Sequence, residues 1–90
     1  MANVQGDLQK AMNLMGEGRF KRAADILRPL SRIAGFTLSK HLLGLCEYEL
    51  GHAERGLKLV METVEADPNP TYVENLIALH VKMQAFDEAL

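Results

Sequence analysis

The sequence predicts an all-α chain of consecutive antiparallel helix hairpins stacked into an α-solenoid, and three observations predict it. Apolar residues recur at the i, i+3, i+4, i+7 spacing of a helix that buries one side, as in Leu57, Val60, Met61 and Val64. Most glycine and proline signals fall between such stretches, at Gly16 and Gly18, Gly35, Gly51, and Pro68 and Pro70. The pattern also copies itself: Gly18 and Gly51, Phe20 and Phe86, and Ala23, Gly56 and Ala89 recur at multiples of about 33 residues, and two helices per unit at such a period mark a helical solenoid.

Taken in order, Val4 to Met15 puts Leu8, Ala11, Met12 and Met15 on one stripe behind Asn3 as N-cap, and Gly16-Glu17-Gly18 ends the helix. Phe20 to about Ile33 follows, with Phe20, Ala23, Ala24, Leu27 and Leu30 on its apolar side. Pro29 removes one backbone donor and is expected to bend this helix near Asp25 or end it early. Gly35 supplies the next turn. From Thr37 a helix carries Leu38, Leu42, Leu43, Leu45, Cys46 and Leu50 up to Gly51, and a fourth helix closes at Pro68. After Asp67-Pro68-Asn69-Pro70, Thr71 to about Gln84 reads as a fifth helix with Val73, Leu76, Ile77, His80 and Met83, and a sixth would begin at Phe86-Asp87-Glu88-Ala89-Leu90.

On these residues the chain resembles the tetratricopeptide repeat family. Leu43-Gly44 stands where that family has its Leu-Gly pair, Gly51 at its inter-helix turn, Gly56 at its small crossing residue and Pro68 at its terminal proline. Ala11, Leu14, Gly18, Phe20, Ala23 and Leu27 match in the first unit, and Ile77, Ala78, Val81 and Phe86 to Ala89 in the third. The resemblance implies a right-handed solenoid of about 2.5 repeats in one domain, residues 1–90, with units of about 4–35, 36–69 and a truncated 70–90, and so a fragment of a longer chain. The chain departs from the family at Asp7, Lys40 and Glu74, where an early aromatic is usual, and at Glu47, where an aromatic or leucine is usual, so looser packing is expected there.

Composition narrows the function. With 90 residues, 48% hydrophobic and 24% charged, the chain fits one small globular domain, too small for an ordinary cleft between layers. A net charge of −2 predicts no attraction to nucleic acid or anionic lipid. The single Cys46 has no partner for an internal disulfide, the N-terminus lacks a targeting pattern, and no apolar run approaches the roughly 20 residues of a membrane span, so the expectation is cytoplasmic. His41, His52, His80 and Cys46 lack metal-ligand spacing, and no phosphate loop, nucleophile elbow or Cys-His pair is present. Neither enzyme activity nor a cofactor is therefore expected. Glu47, Glu49, Glu62, Glu65 and Asp67 read as a solvated acidic rim.

Projected at 100° per residue, the third helix has one face with Lys40, Leu43, Gly44 and Glu47 and another with Leu38, His41, Leu42, Leu45 and Tyr48. In a solenoid resembling the family, the first turns to the paired helix and the second lines the concave groove. Leu8, Met12 and Met15 continue that groove on the first helix and Leu79 and Met83 on the fifth, with methionines suited to an irregular apolar ligand. The expectation is a non-catalytic scaffold that takes an apolar or amphipathic peptide or helix of another protein there. The same residues would be core if further chain or a second copy covered them. A docking or regulatory module of a larger enzyme is the alternative, and pentatricopeptide-like binding of single-stranded RNA a further one. The uncovered fifth helix, with Ile77 and Val81, points to a homodimer or to folding back against Leu42 and Leu45.

Overall fold

The computed structural model describes residues 3–33 and 37–89, with backbone alone for 86–89. Among them are five helices and no strand: α1 (Val4–Gly16), α2 (Phe20–Leu30), α3 (Thr37–Glu49), α4 (Ala53–Ala66) and α5 (Pro70–Ala89). The turn expected at Gly35 lies outside the described residues.

The helix ends repeat one chemistry. Asn3 Oδ1 accepts the Gly6 N–H at 2.9 Å, and Asn69 Oδ1 accepts the Tyr72 N–H at 2.9 Å, so α1 and α5 begin on the same amide cap, with Pro70 in the first helical position of α5, where an N–H would be unpaired anyway. At the other end, Gly18 (φ +79°) and Gly51 (φ +93°) take the left-handed conformation that glycine adopts without a Cβ clash. That reversal lets Arg19 N–H reach Leu14 O at 2.8 Å after α1, and His52 N–H reach Glu47 O at 2.9 Å after α3, which satisfies carbonyls the helix leaves open. Turns this short fold α1 against α2 and α3 against α4 as antiparallel hairpins.

One helix end follows an alternative expected from the sequence, the early stop at Pro29, and another differs from the sequence reading. Pro29 cannot donate and α2 stops at Leu30, short of Ile33, with Ser31 N–H on Leu27 O at 2.8 Å and Ser31 Oγ donating to Arg28 O at 2.7 Å. Where a sixth helix was expected to begin at Phe86, α5 instead runs on through Ala89, because nothing in Gln84-Ala85-Phe86 breaks a helix as Gly18 and Gly51 do.

Each helix packs on its neighbour in the chain, and the molecule measures 47 × 26 × 18 Å. The main core joins Leu8 and Ala11 of α1, Ala23, Ala24, Leu27 and Leu30 of α2, and Leu42, Leu43 and Cys46 of α3. Each leucine buried there contributes about 1.5–3 kcal/mol. Small residues set the crossings: Ala11 and Ala23 are fully buried in the α1–α2 hairpin, and Gly44 and Gly56 stand one repeat later between α3 and α4. A Cβ on Gly44 would lie 2.9 Å from Val60 Cγ2 and 3.0 Å from Gly56 O.

Candidate interaction surface

The ten residues read from the sequence as partner-binding divide in two. Leu8 and Leu42 belong to the core, His41 is 1% exposed and Leu79 is buried, so the chain itself encloses these four. Met12 and Leu38 are exposed, and Met15, Leu45, Tyr48 and Met83 are half-buried. Met15 and Leu45 rest on the core with one side and meet solvent with the other. Met83 lines a shallow groove of about 370 Å³ with Leu57, His80 and Gln84.

His41 is the centre of a buried polar junction that ties α3 to α4 and α5. Its Nδ1 lies 2.8 Å from Thr63 Oγ1, and that hydroxyl donates its only proton to Val60 O at 2.7 Å. The hydroxyl must therefore accept from His41 Nδ1–H, which leaves Nε2 as the acceptor of Asn75 Nδ2–H at 2.9 Å. With the Asn75 nitrogen facing Nε2, this arrangement matches the neutral imidazole protonated on Nδ1, and burial pushes the ring below its ordinary 6.5. Tyr72 covers it, ring on ring, with centroids 4.0 Å apart and planes 15° from parallel. Burial, with the charge of Asp67, pushes the Tyr72 phenol up.

The same register recurs farther along. His41 and Asn75 are 34 residues apart, and Tyr48 meets Lys82 at the same spacing, the ammonium 5.9 Å from the ring centroid. Two contacts of equal spacing set α5 alongside α3 in the same direction. Lys82 also reaches Glu49 at 3.9 Å.

Glu47 corrects the acidic-rim reading. Its side chain is 3% exposed, with Oε1 3.3 Å from Arg28 Nη2 of α2 and Oε2 2.8 Å from His52 Nδ1 and 3.2 Å from Arg55 Nη1 of α4. Burial alone would raise this carboxyl; the hydrogen bonds from His52 and Arg28 and the charges of His52 and Arg55 outweigh it and hold the group below its ordinary value. One carboxylate thus joins three helices. Its position was visible, because the projection already placed Glu47 on the face turned to the paired helix, where a carboxylate must find cations. On that face Lys40 pairs with Glu62, whose carboxyl the Lys40 hydrogen bond holds down.

Little here suits covalent or metal chemistry. Burial, then the charges of Glu47 and Glu49, push the Cys46 thiol up to about 11, away from the thiolate a nucleophile needs. Among the described residues no three His, Cys, Asp or Glu side chains gather to hold a metal, and no helix is long and apolar enough to cross a membrane. In comparisons with protein families, curated proteins and solved structures, no family model, curated protein or solved structure matches the chain.

Proposed function

We propose that the chain is a non-catalytic protein-interaction scaffold of the tetratricopeptide-like solenoid kind, taking an apolar or amphipathic helix of another protein against Met12, Leu38, Leu45 and Tyr48. The observation that carries this reading is the set of apolar side chains left open along α1 and α3, Met12 and Leu38 outright and Met15, Leu45 and Tyr48 on one side, beside buried residues that hold their helices rigid. The repeated Asn caps, left-handed glycines and small-residue crossings support the solenoid part of it, as does the 34-residue register between α3 and α5. Tyr48, half-buried with the Lys82 ammonium 5.9 Å from its ring centroid, is the anchor of the site, since tyrosine is enriched among the residues that dominate binding energy.

The test is capture of a partner by the 90-residue chain and by variants altered one position at a time. Leu38→Asp and Met12→Asp are expected to abolish capture, and Tyr48→Ala to weaken it by about 1–2 kcal/mol. Lys21→Asp and Lys58→Asp, exposed on α2 and α4, are expected to leave it intact. Capture lost through the α2 and α4 variants but kept by those on α1 and α3 would reject this surface.

A further inference from the structure

The side of α5 away from Tyr72 and Leu79 is apolar and open. Ile77 and Val81, 56% and 59% exposed, are the barest large apolar side chains among the described residues. The register that sets Asn75 against His41 and Lys82 against Tyr48 makes Ile77, Ala78 and Val81 the counterparts of Leu43, Gly44 and Glu47, the face on which α3 receives α4. A face built to receive a helix, with a small residue at its middle, is thus repeated on α5 without one among the described residues.

We propose that a second copy of this chain occupies it, the two α5 helices pairing antiparallel about a twofold axis at the level of residues 78–80, with Ile77 of each copy across from Val81 of the other. Such a contact is self-complementary, as a twofold interface must be. Charge selects the direction. At 100° per residue, Glu74, Ala78 and Lys82 fall on one flank of the Ile77–Val81 line, and Val73, His80 and Gln84 on the other. Antiparallel helices bring like flanks together, so Glu74 of each copy lies beside Lys82 of the other, two ion pairs from one symmetry operation. Parallel helices would set Glu74 and Lys82 against His80 and Gln84, with no opposite charge to meet. Glu74 is exposed, and Lys82, 57% exposed, exchanges only long contacts to take part, 3.9 Å to Glu49 and 5.9 Å to the Tyr48 ring centroid. Ala78 keeps the helices close near the axis. One helix seam of this length falls at or below the ~1,200–2,000 Å² of stable interfaces, so the dimer is weak and reversible. This surface is separate from the α1–α3 one, and the inference stands whether or not that reading holds.

Sedimentation equilibrium of the 90-residue chain, from micromolar to millimolar concentration, is the test. The expected mass rises from 10.0 kDa toward twice that value. Val81→Glu places a charge in the seam and is expected to weaken association at least tenfold, with helical content unchanged because the site is exposed. Glu74→Lys and Lys82→Glu each set like charges together and should cost roughly tenfold, and the double variant should return to near the original affinity. A chain monomeric at millimolar concentration overturns the proposal. A dimer indifferent to Val81→Glu, or a double variant as weak as the single ones, overturns it equally.

Discussion

Gly44 and Gly56 meet backbone to backbone at the α3–α4 crossing: a Cβ on Gly56 would stand 2.5 Å from the Gly44 carbonyl oxygen and 2.7 Å from the Tyr48 nitrogen. Neither is the end of a flexible side chain, so the helices themselves would have to separate. At Gly44 the nearest atoms are a methyl of the fully buried Val60 at 2.9 Å and the Gly56 carbonyl oxygen and Leu59 Cβ at 3.0 Å, a crowding less severe than at Gly56. Alanine gains about 0.5–1 kcal/mol over glycine in a helix interior. Gly56→Ala should nevertheless destabilise by about 1–3 kcal/mol. Gly44→Ala should destabilise less than Gly56→Ala, and Gly44→Leu should be at least as harmful as Gly56→Ala. Lys40→Ala, which breaks only the partly exposed pair with Glu62, should cost under about 1 kcal/mol. Chemical denaturation of the four variants ranks them, and Lys40→Ala as the most harmful would contradict this packing.

Around Glu47 the two sides of the ion cluster are unequal. Arg28, Arg55 and His52 are about half exposed or more and can turn to water, whereas Glu47 cannot. Glu47→Leu should therefore be neutral or stabilising within about 1 kcal/mol. Removing Arg28 and Arg55 together leaves a buried carboxylate with His52 alone and should cost about 3–5 kcal/mol. Urea unfolding at neutral pH separates the two outcomes; equal losses from both would deny the asymmetry.

Acid should weaken the fold in two stages. His41 is held neutral in the folded chain and its affinity for a proton is lower than in the unfolded one, so stability falls as pH drops below about 6.5, by up to about 1.4 kcal/mol per pH unit. Glu47 is depressed instead, so its contribution is present above its ordinary 4.5 and is lost as pH falls below that. Unfolding free energies measured from pH 8 to 3 should lose the upper stage in His41→Phe, and the lower stage should shrink in Glu47→Leu and shrink further when Lys40, the partner of Glu62, is removed as well. An upper stage that survives His41→Phe would place the titrating group elsewhere.

The Cys46 thiol, buried and raised to about 11, should react with a thiol reagent two to three orders of magnitude more slowly than a free cysteine of pKa about 8.5. Its labelling rate should follow opening of the fold as urea is added. Rapid labelling of the native chain would show that α3 is more open than its packing implies.

The helices were legible because their signals are local: Asn3 before an apolar stripe, Gly18 and Gly51 after one, Pro29 near the end of another. Gly56 was legible as a crossing because a small residue recurs at its place one period away, at Ala23 and Ala89, on a face expected to be buried. The polar junctions were not. Thr63 and Asn75 carry no local mark of their role, since the bond that gives them meaning runs to His41 from other helices, across 22 and 34 residues. His41 itself shares a helical face with Leu38 and Leu45 yet lies buried while Leu38 is exposed, because Tyr72 from α5 closes over that end of the face.

Helices stacked on their chain neighbours are coupled one to the next, and among the described helices α5 packs chiefly on α4. It is held on its inner side by Tyr72 and Asn75 at His41, by the buried Leu79 and by Lys82 at Tyr48, while its outward side at Ile77 and Val81 meets solvent. Losing α5 leaves the α1–α2–α3 core untouched, so its backbone amides should trade hydrogen for deuterium through a local opening, well before those of α2 and α3, which exchange only when the whole molecule unfolds. The imidazole junction thus works as a latch between α3 and α5: once protonated, His41 Nε2 has no lone pair left to accept from Asn75, and the contact with α5 is expected to be the first to loosen.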